Sequence, residues 1–256
     1  MNNLIRSERY KLFHNLAFWA LLIGMVLLGF FSGSGYRQFY LAHDYSRIEV
    51  TSISGVYNSM VADSLMILVA VNAMLGWFTG RDFSLRTIST EVASGHSRKD
   101  IFLSKAVVSL SAYNLVMILY PLAGAIHEIS YFGIGNLTGD LLNILRTTLY
   151  LLLLQSAVFL ITITISFVLR SGIMSAIASP IATFGLMLVF ASGIENHWPI
   201  AMNYLNPMYR LREVTSMGSS ISSQGLILVP AVITGIVWIA VCSMIIWKTF
   251  AKGDLK

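Results

Sequence analysis

Ser94-Gly95-His96-Ser97 places two hydroxyls around an imidazole, the residue types of an acyl-transfer nucleophile and its base. The stretch lacks the second glycine of a G-x-S-x-G turn and no strand pattern precedes it, so the hydrolase reading fails. His127-Glu128 is the only adjacent His/Glu pair among five scattered histidines (His14, His43, His96, His127 and His197). No H-E-x-x-H occurs, and a metal site is not expected. Asp63 is the only acid well inside an apolar run, and a carboxylate in hydrocarbon marks a functional position by default. Asn58 and Asn72 share its neighbourhood at helical spacing with Ala62, Val69 and Gly76, which leaves a small polar groove. Asn58, Asp63 and Asn72 are therefore the candidate substrate path. No series of acids or histidines follows that would relay protons. The chain also has no G-x-x-x-x-G-K-[ST], so it cannot hold ATP through a P-loop of its own.

These residues sit in an unusual solvent. Hydrophobic residues make up 56% of the 256 residues and charged ones 11%, with a mean hydropathy of +0.72. A soluble domain carries about 25% charge, so lipid must surround most of this chain. The net charge of +5 belongs to residues beside apolar runs, where it orients a membrane protein rather than binding nucleic acid. Cys242 is the single cysteine, which excludes an intrachain disulfide and a thiol metal site.

Six apolar runs fall near 16–31, 58–79, 101–124, 146–169, 173–193 and 226–247, each near the length of a membrane span. The first follows Arg6, Arg9 and Lys11 and reads as an uncleaved anchor rather than a signal peptide, being long and containing Phe18 and Trp19. With the N-terminus inside, Arg6, Arg9, Lys11, Arg81, Arg86, Arg98, Lys99, Lys105, Arg170, Lys248, Lys252 and Lys256 are cytoplasmic. Only Arg37, Arg47, Arg146, Arg210 and Arg212 remain outside. Twelve against five follows the positive-inside rule and predicts that both termini are cytoplasmic in the plasma membrane. On that topology the Ser94–Ser97 turn and His127-Glu128 lie on opposite sides, so they cannot form one catalytic group.

No linker or internal repeat divides residues 1–256, which read as a single membrane domain. "LIRSERYKLFHN" suits a short helix along the inner interface. The outer segment 194–225, with two prolines and Trp198, Tyr204 and Tyr209, suits a broken, partly buried hairpin, with a plain exposed loop as the alternative. Ser171, Ser175 and Ser179, with Gly172 and Ala176, allow close helix approach, as do Ala231 and Gly235. Thr148, Gln155, Thr162 and Ser166 form one polar stripe, read as glue between helices.

The connector "DFSLRTISTEVASGHSRKDIFLSK" gathers more charge than any other. Its first half places Leu85, Ile88 and Val92 on one helical face, with Arg86 and Glu91 beside them. Asp82 can cap that helix and Gly95 can close it. Ser97 and Asp100 have capping-box spacing for the third span, and Lys105 can reach back to the interface. The expected element is a short cytoplasmic helix over 82–94.

This order of features resembles the permease subunit of type-2 ATP-binding cassette (ABC) exporters over nearly the whole chain. "RTISTEVASGHSRKDIFLSK" carries most of the resemblance, with "RSERYKL" similar to the family's interfacial helix and "LNPMYRL" to its outer segment before the last span. The outer loops are too short for a large external domain, and no ATPase domain is fused. The resemblance implies an all-α membrane protein of six spans with an interfacial helix and a cytoplasmic coupling helix. It implies partners as well: a pair of ABC ATPase subunits, which hold the ATP and Mg, and a second permease subunit, identical or a sister chain. Leu85, Arg86, Ile88, Glu91 and Val92 would contact the ATPase. The chain itself would be no enzyme and bind no cofactor. Compact permeases of this kind resemble exporters of amphipathic peptides, toxins and lantibiotic-type antibiotics among them. A six-span sensor or scaffold without transport, or an intramembrane enzyme, are the alternatives.

Overall fold

Apolar runs with no water to satisfy the backbone must fold as helices, and every element described is one. The computed structural model describes residues 1–42, 52–132, 137–195, 205–216 and 224–252. In chain order the helices are α1 (Asn2–Phe13), α2 (Leu16–Ala42), α3 (Ile53–Ala62), α4 (Leu65–Ser84), α5 (Thr87–Ala93), α6 (Arg98–His127), α7 (Ile129–Phe132), α8 (Leu137–Leu169), α9 (Gly172–Glu195), α10 (Pro207–Ser216) and α11 (Gln224–Lys252). No strand occurs among the described residues. Five helices are long and apolar enough to cross a membrane, and α3 with α4 makes a sixth candidate, bent by 60°. All six apolar runs thus coincide with candidate spans.

The second span differs from the continuous helix expected over 58–79. Asp63 ends α3 and Ser64 begins α4. Polar side chains gather at the break: Ser64 Oγ donates to the Val61 carbonyl at 2.8 Å, and Gln155 Nε2 of α8 donates to Ser64 Oγ at 3.2 Å. Broken membrane helices are tolerated where neighbours re-satisfy the backbone in this way. Beyond the first and before the second apolar run the described residues are also helical: α2 runs on to Ala42 and α3 starts at Ile53.

Of the five continuous candidate spans α6 and α8 are the most buried, and α2, α9 and α11 are the more exposed. Small residues set three close pairs, because in lipid helices associate through fit. A Cβ on Gly29 of α2 would run into the Tyr120 carbonyl oxygen of α6, and one on Gly33 would stand 2.7 Å from that of Gly124. On α4 a Cβ at Gly76 or Gly80 would meet Ser179 Oγ at 2.8 Å or Ser175 Oγ at 2.6 Å of α9. On α11, Gly235 admits Leu153 of α8, and Ala231 is fully buried. The α8 stripe does face other helices: Thr148 bonds Tyr57 at 2.7 Å and Ser166 accepts from Thr79 at 2.9 Å.

Helix α10, in the expected broken outer segment, is mostly buried, with Met208, Leu211 and Val214 in the core and Asn206 donating to the Leu186 carbonyl. The partly buried reading holds for 205–216. Trp198 and Tyr204 lie outside the described residues.

Candidate functional site

The connector between the second and third spans folds differently from the one helix expected over 82–94. α4 continues to Ser84, so Asp82 sits inside its last turn and caps nothing. The chain breaks at Leu85 and Arg86, and Arg86 takes a left-handed backbone, φ 56°. A non-glycine residue there is strained by about 1 kcal/mol or more. α5 then runs for seven residues and ends at Gly95, whose φ of +89° is the glycine-dependent helix stop read from the sequence. Ser97 Oγ accepts from Asp100 N at 3.1 Å and starts α6, as its spacing implied.

The break rotates the expected face apart. Leu85 points outward, 59% exposed, and Arg86 is also exposed. Ile88 is 1% exposed and belongs to the core of this same chain, with Val92 half-buried against that core. Glu91 turns inward to an ionic cluster. Leu85, Ile88 and Val92 therefore do not share one outward surface. What α5 leaves exposed is Leu85, Arg86, Thr90, Ala93 and Ser94.

The inward side is held by charge. Lys105 does not reach back toward water; its side chain is 2% exposed and its Nζ donates to Glu8 at 2.9 Å and to Asp82. Lys11 contacts Glu8 at 2.6 Å, Glu91 at 3.2 Å and Asp82 at 3.6 Å. Five charged groups from α1, α4, α5 and α6 thus share one partly enclosed site. Burial opposes the Lys11 ammonium, yet Asp82, Glu8 and Glu91 outweigh it and hold its pKa above the ordinary lysine range. Sequence reading missed this node. Glu8 is its clearest signal: at i, i+4, i+8 with Leu4 and Leu12, it falls on the buried face of α1.

Around the node the same end of the bundle is closed by further contacts. Arg98 donates to the Phe250 carbonyl at 2.8 Å, satisfying a carbonyl at the end of α11. Phe83, Phe102 and Phe250 each meet Phe167 edge-to-face with ring centroids 5.1–5.5 Å apart. α5 thus meets α1 through Glu91–Lys11 at 3.2 Å and α6 through Glu91–Lys105 at 4.0 Å, while Asp82 of α4 meets the same two lysines.

Neither a family model nor a curated protein sequence matches the chain.

The candidate path residues lie elsewhere and are not brought together. Asn58 is buried on α3 and accepts from Thr147 Oγ1 at 2.7 Å. Asn72 is fully buried on α4 and donates to Thr183 of α9 at 2.8 Å. The groove expected along Asn72 and Gly76 is thus filled by α9. Asp63 is half-buried at the break, within electrostatic reach of Tyr36 and Tyr120. At the same end, Glu128 is 1% exposed and accepts from Arg37 Nε at 2.6 Å, with His127 Nδ1 at 3.1 Å. Glu128 thus meets both Arg37 and His127. Ser94 and His96 sit at the α5 end of α6 and His127 at its other end. Among the described residues no group of three or more His, Cys, Asp or Glu side chains could hold a metal.

Proposed function

We propose that this chain is the membrane-spanning permease subunit of an ATP-driven ABC exporter, with ATP hydrolysis in a separate ATPase subunit. The observation that carries this reading is the corner at α5. A two-turn helix is fastened to the ends of two candidate spans and to α1 by a five-charge node. It still presents an unused outward face. A helix that merely rested on headgroups would need neither the node nor the strained Arg86. A lever that receives force from a partner needs a rigid seat on one side and a free surface on the other.

In this reading α5 is the coupling helix and sits in a groove of the ATPase, with Leu85 and Arg86 at the contact. Ile88, Val92 and Glu91 transmit the load inward rather than touching the partner. Both termini are cytoplasmic, α1 lies along the inner interface, and a second permease subunit completes the path. The end carrying α1 and α5 also carries Arg6, Arg9, Lys11, Arg81, Arg98, Lys105, Arg170 and Lys248, which agrees with a cytoplasmic placement in the plasma membrane. The substrate is an amphipathic peptide, a toxin or antimicrobial, moved between subunits; Asn58 and Asn72 act by holding helices together.

The test is co-purification of ATPase activity with the tagged chain in mild detergent. Leu85→Glu with Thr90→Glu, both on the exposed face, should leave a folded membrane protein that loses the ATPase. Hot-spot contacts of this kind are worth about 2 kcal/mol or more. Retained coupling in that variant, or no ATPase with the wild type from cells that make the neighbouring genes, would reject the proposal. Ile88→Asp is the wrong probe, since it places a charge in this chain's own core.

A further inference from the structure

α1 and α6 enclose an open groove of about 290 Å³ on the flank away from the ionic node. That volume is near the lower end of ligand-sized clefts. Ile5, Arg9 and Phe13 form one wall, at i, i+4, i+8 along α1. Val108, Ala112 and Leu115 form the other along α6, and Phe18 of α2 also lines the groove. From Val107 to Leu115 the α6 wall extends about 12 Å along the helix. It runs from the end carrying the charges into the apolar body of a candidate span.

The charge distribution identifies the occupant. The only acid of α1, Glu8, is consumed by Lys11 and Lys105 on the adjoining face. Arg6 and Arg9 remain exposed, and neither makes an ion pair or hydrogen bond among the described residues. Arg9 stands at the rim of a trough that is otherwise almost wholly apolar. Trp19, beside Phe13 and Phe18, donates its indole N–H to the Phe13 carbonyl at 2.7 Å, which places an amphipathic ring at the same level.

We propose that this groove is a binding site for an anionic phospholipid, one acyl chain lying between α1 and α6 and the phosphate held by Arg9 and Arg6. The site seats α1 on the bilayer, and it rests on the membrane character of the chain rather than on export. A zwitterionic lipid would bring its own cation beside its phosphate and leave the two guanidinium groups without a net counter-charge. A second copy of the chain would bring the same arginines near its own and repel.

The test is retention of phosphatidylglycerol against phosphatidylcholine, by native mass spectrometry of protein released from bilayers holding equal amounts of each. The wild type should retain phosphatidylglycerol preferentially. Arg6→Glu with Arg9→Glu should lower that retention by on the order of fivefold or more for each arginine changed. Ser111→Phe, an exposed position in the middle of the groove, should also displace the lipid while leaving both arginines in place. Equal retention of the two lipids by the wild type overturns the proposal. So does wild-type retention of phosphatidylglycerol in either variant, each first checked for unchanged elution and helical signal.

Discussion

Lys105→Met removes the best buried cation of the α5 corner, and its cost can be worked from the contacts. The Lys105 side chain is 2% exposed and that of Glu8 3%, at 2.9 Å. With an effective dielectric of about 20 that pair attracts by about 6 kcal/mol, most of it offset by several kcal/mol for desolvating each ion. The node holds two lysines and three carboxylates, a net charge of −1. Lys105→Met takes it to −2 and leaves Glu8 and Asp82 facing Lys11 alone. Breaking a buried pair from one side costs about 3–5 kcal/mol. Glu8→Gln instead brings the node to neutrality and should cost about 1.5–3 kcal/mol, the worth of its charged hydrogen bonds. The double variant returns to −1, so its loss should fall short of the sum by up to about 3 kcal/mol. Equilibrium unfolding in mixed detergent micelles, followed by circular dichroism, measures all three. Lys99→Met, on an exposed lysine in the first turn of the same helix, is the control and should stay within about 0.5 kcal/mol of wild type. The reasoning is refuted if Lys105→Met is no worse than Lys99→Met, or if the two node changes simply add.

Other expectations can be checked in the same unfolding assay. Gly80→Ala should lose about 1–3 kcal/mol by overpacking, because its Cβ would stand 2.7 Å from the Ser171 carbonyl oxygen and 3.0 Å from Gly172 Cα, neither of which is a flexible tip. Gly185→Ala, with open space around its Cβ, should instead gain about 0.5–1 kcal/mol from helix propensity. Arg86→Gly should relieve the left-handed strain and raise stability while lowering ATPase co-purification; a fall in both would place Arg86 in the fold rather than at the contact. Lys11, whose pKa is raised above 10.5, contributes stability that is fully present below that value and lost as pH rises through its higher folded value. Lys11→Met should therefore narrow the gap to wild type only in strongly alkaline buffer, and a gap that closes near neutral pH would contradict the ion pairs assigned to it.

Which features the sequence disclosed depends on how far the relevant physics reaches along the chain. Spans follow from local hydrophobicity, and all six apolar runs became helices at nearly the expected places. Gly95 and Ser97 were legible because a helix stop and an N-cap are chemistry within four residues. The polar stripe of α8 was legible as glue because its spacing alone puts it on one face, whatever that face meets. The break at Asp63 was not, since what makes it tolerable is Gln155, some ninety residues away, reaching Ser64. Gly29 and Gly33 have the same four-residue spacing as the serines of α9, yet their role depends on Tyr120 and Gly124 being opposite.

The α5 corner shows the limit most clearly, and it changes what the motif means. Helical periodicity correctly put Ile88 and Val92 on an apolar face, but periodicity cannot tell a face that meets a partner from one that meets the same chain. The deciding residues are Glu8, Asp82 and Lys105, which look like ordinary boundary charges when read singly. Once the fold gathers them, Glu91 must turn inward to join them, and Ile88 turns inward with it. The face left exposed is then the opposite one, led by Leu85. In the coupling role proposed for α5, an inward Ile88 is the stiffer arrangement, because force applied at Leu85 and Arg86 meets a helix already clamped by core packing on one turn and by ion pairs on the next. The node is thus a means of joining the short helix to two spans so that it cannot tilt without moving them.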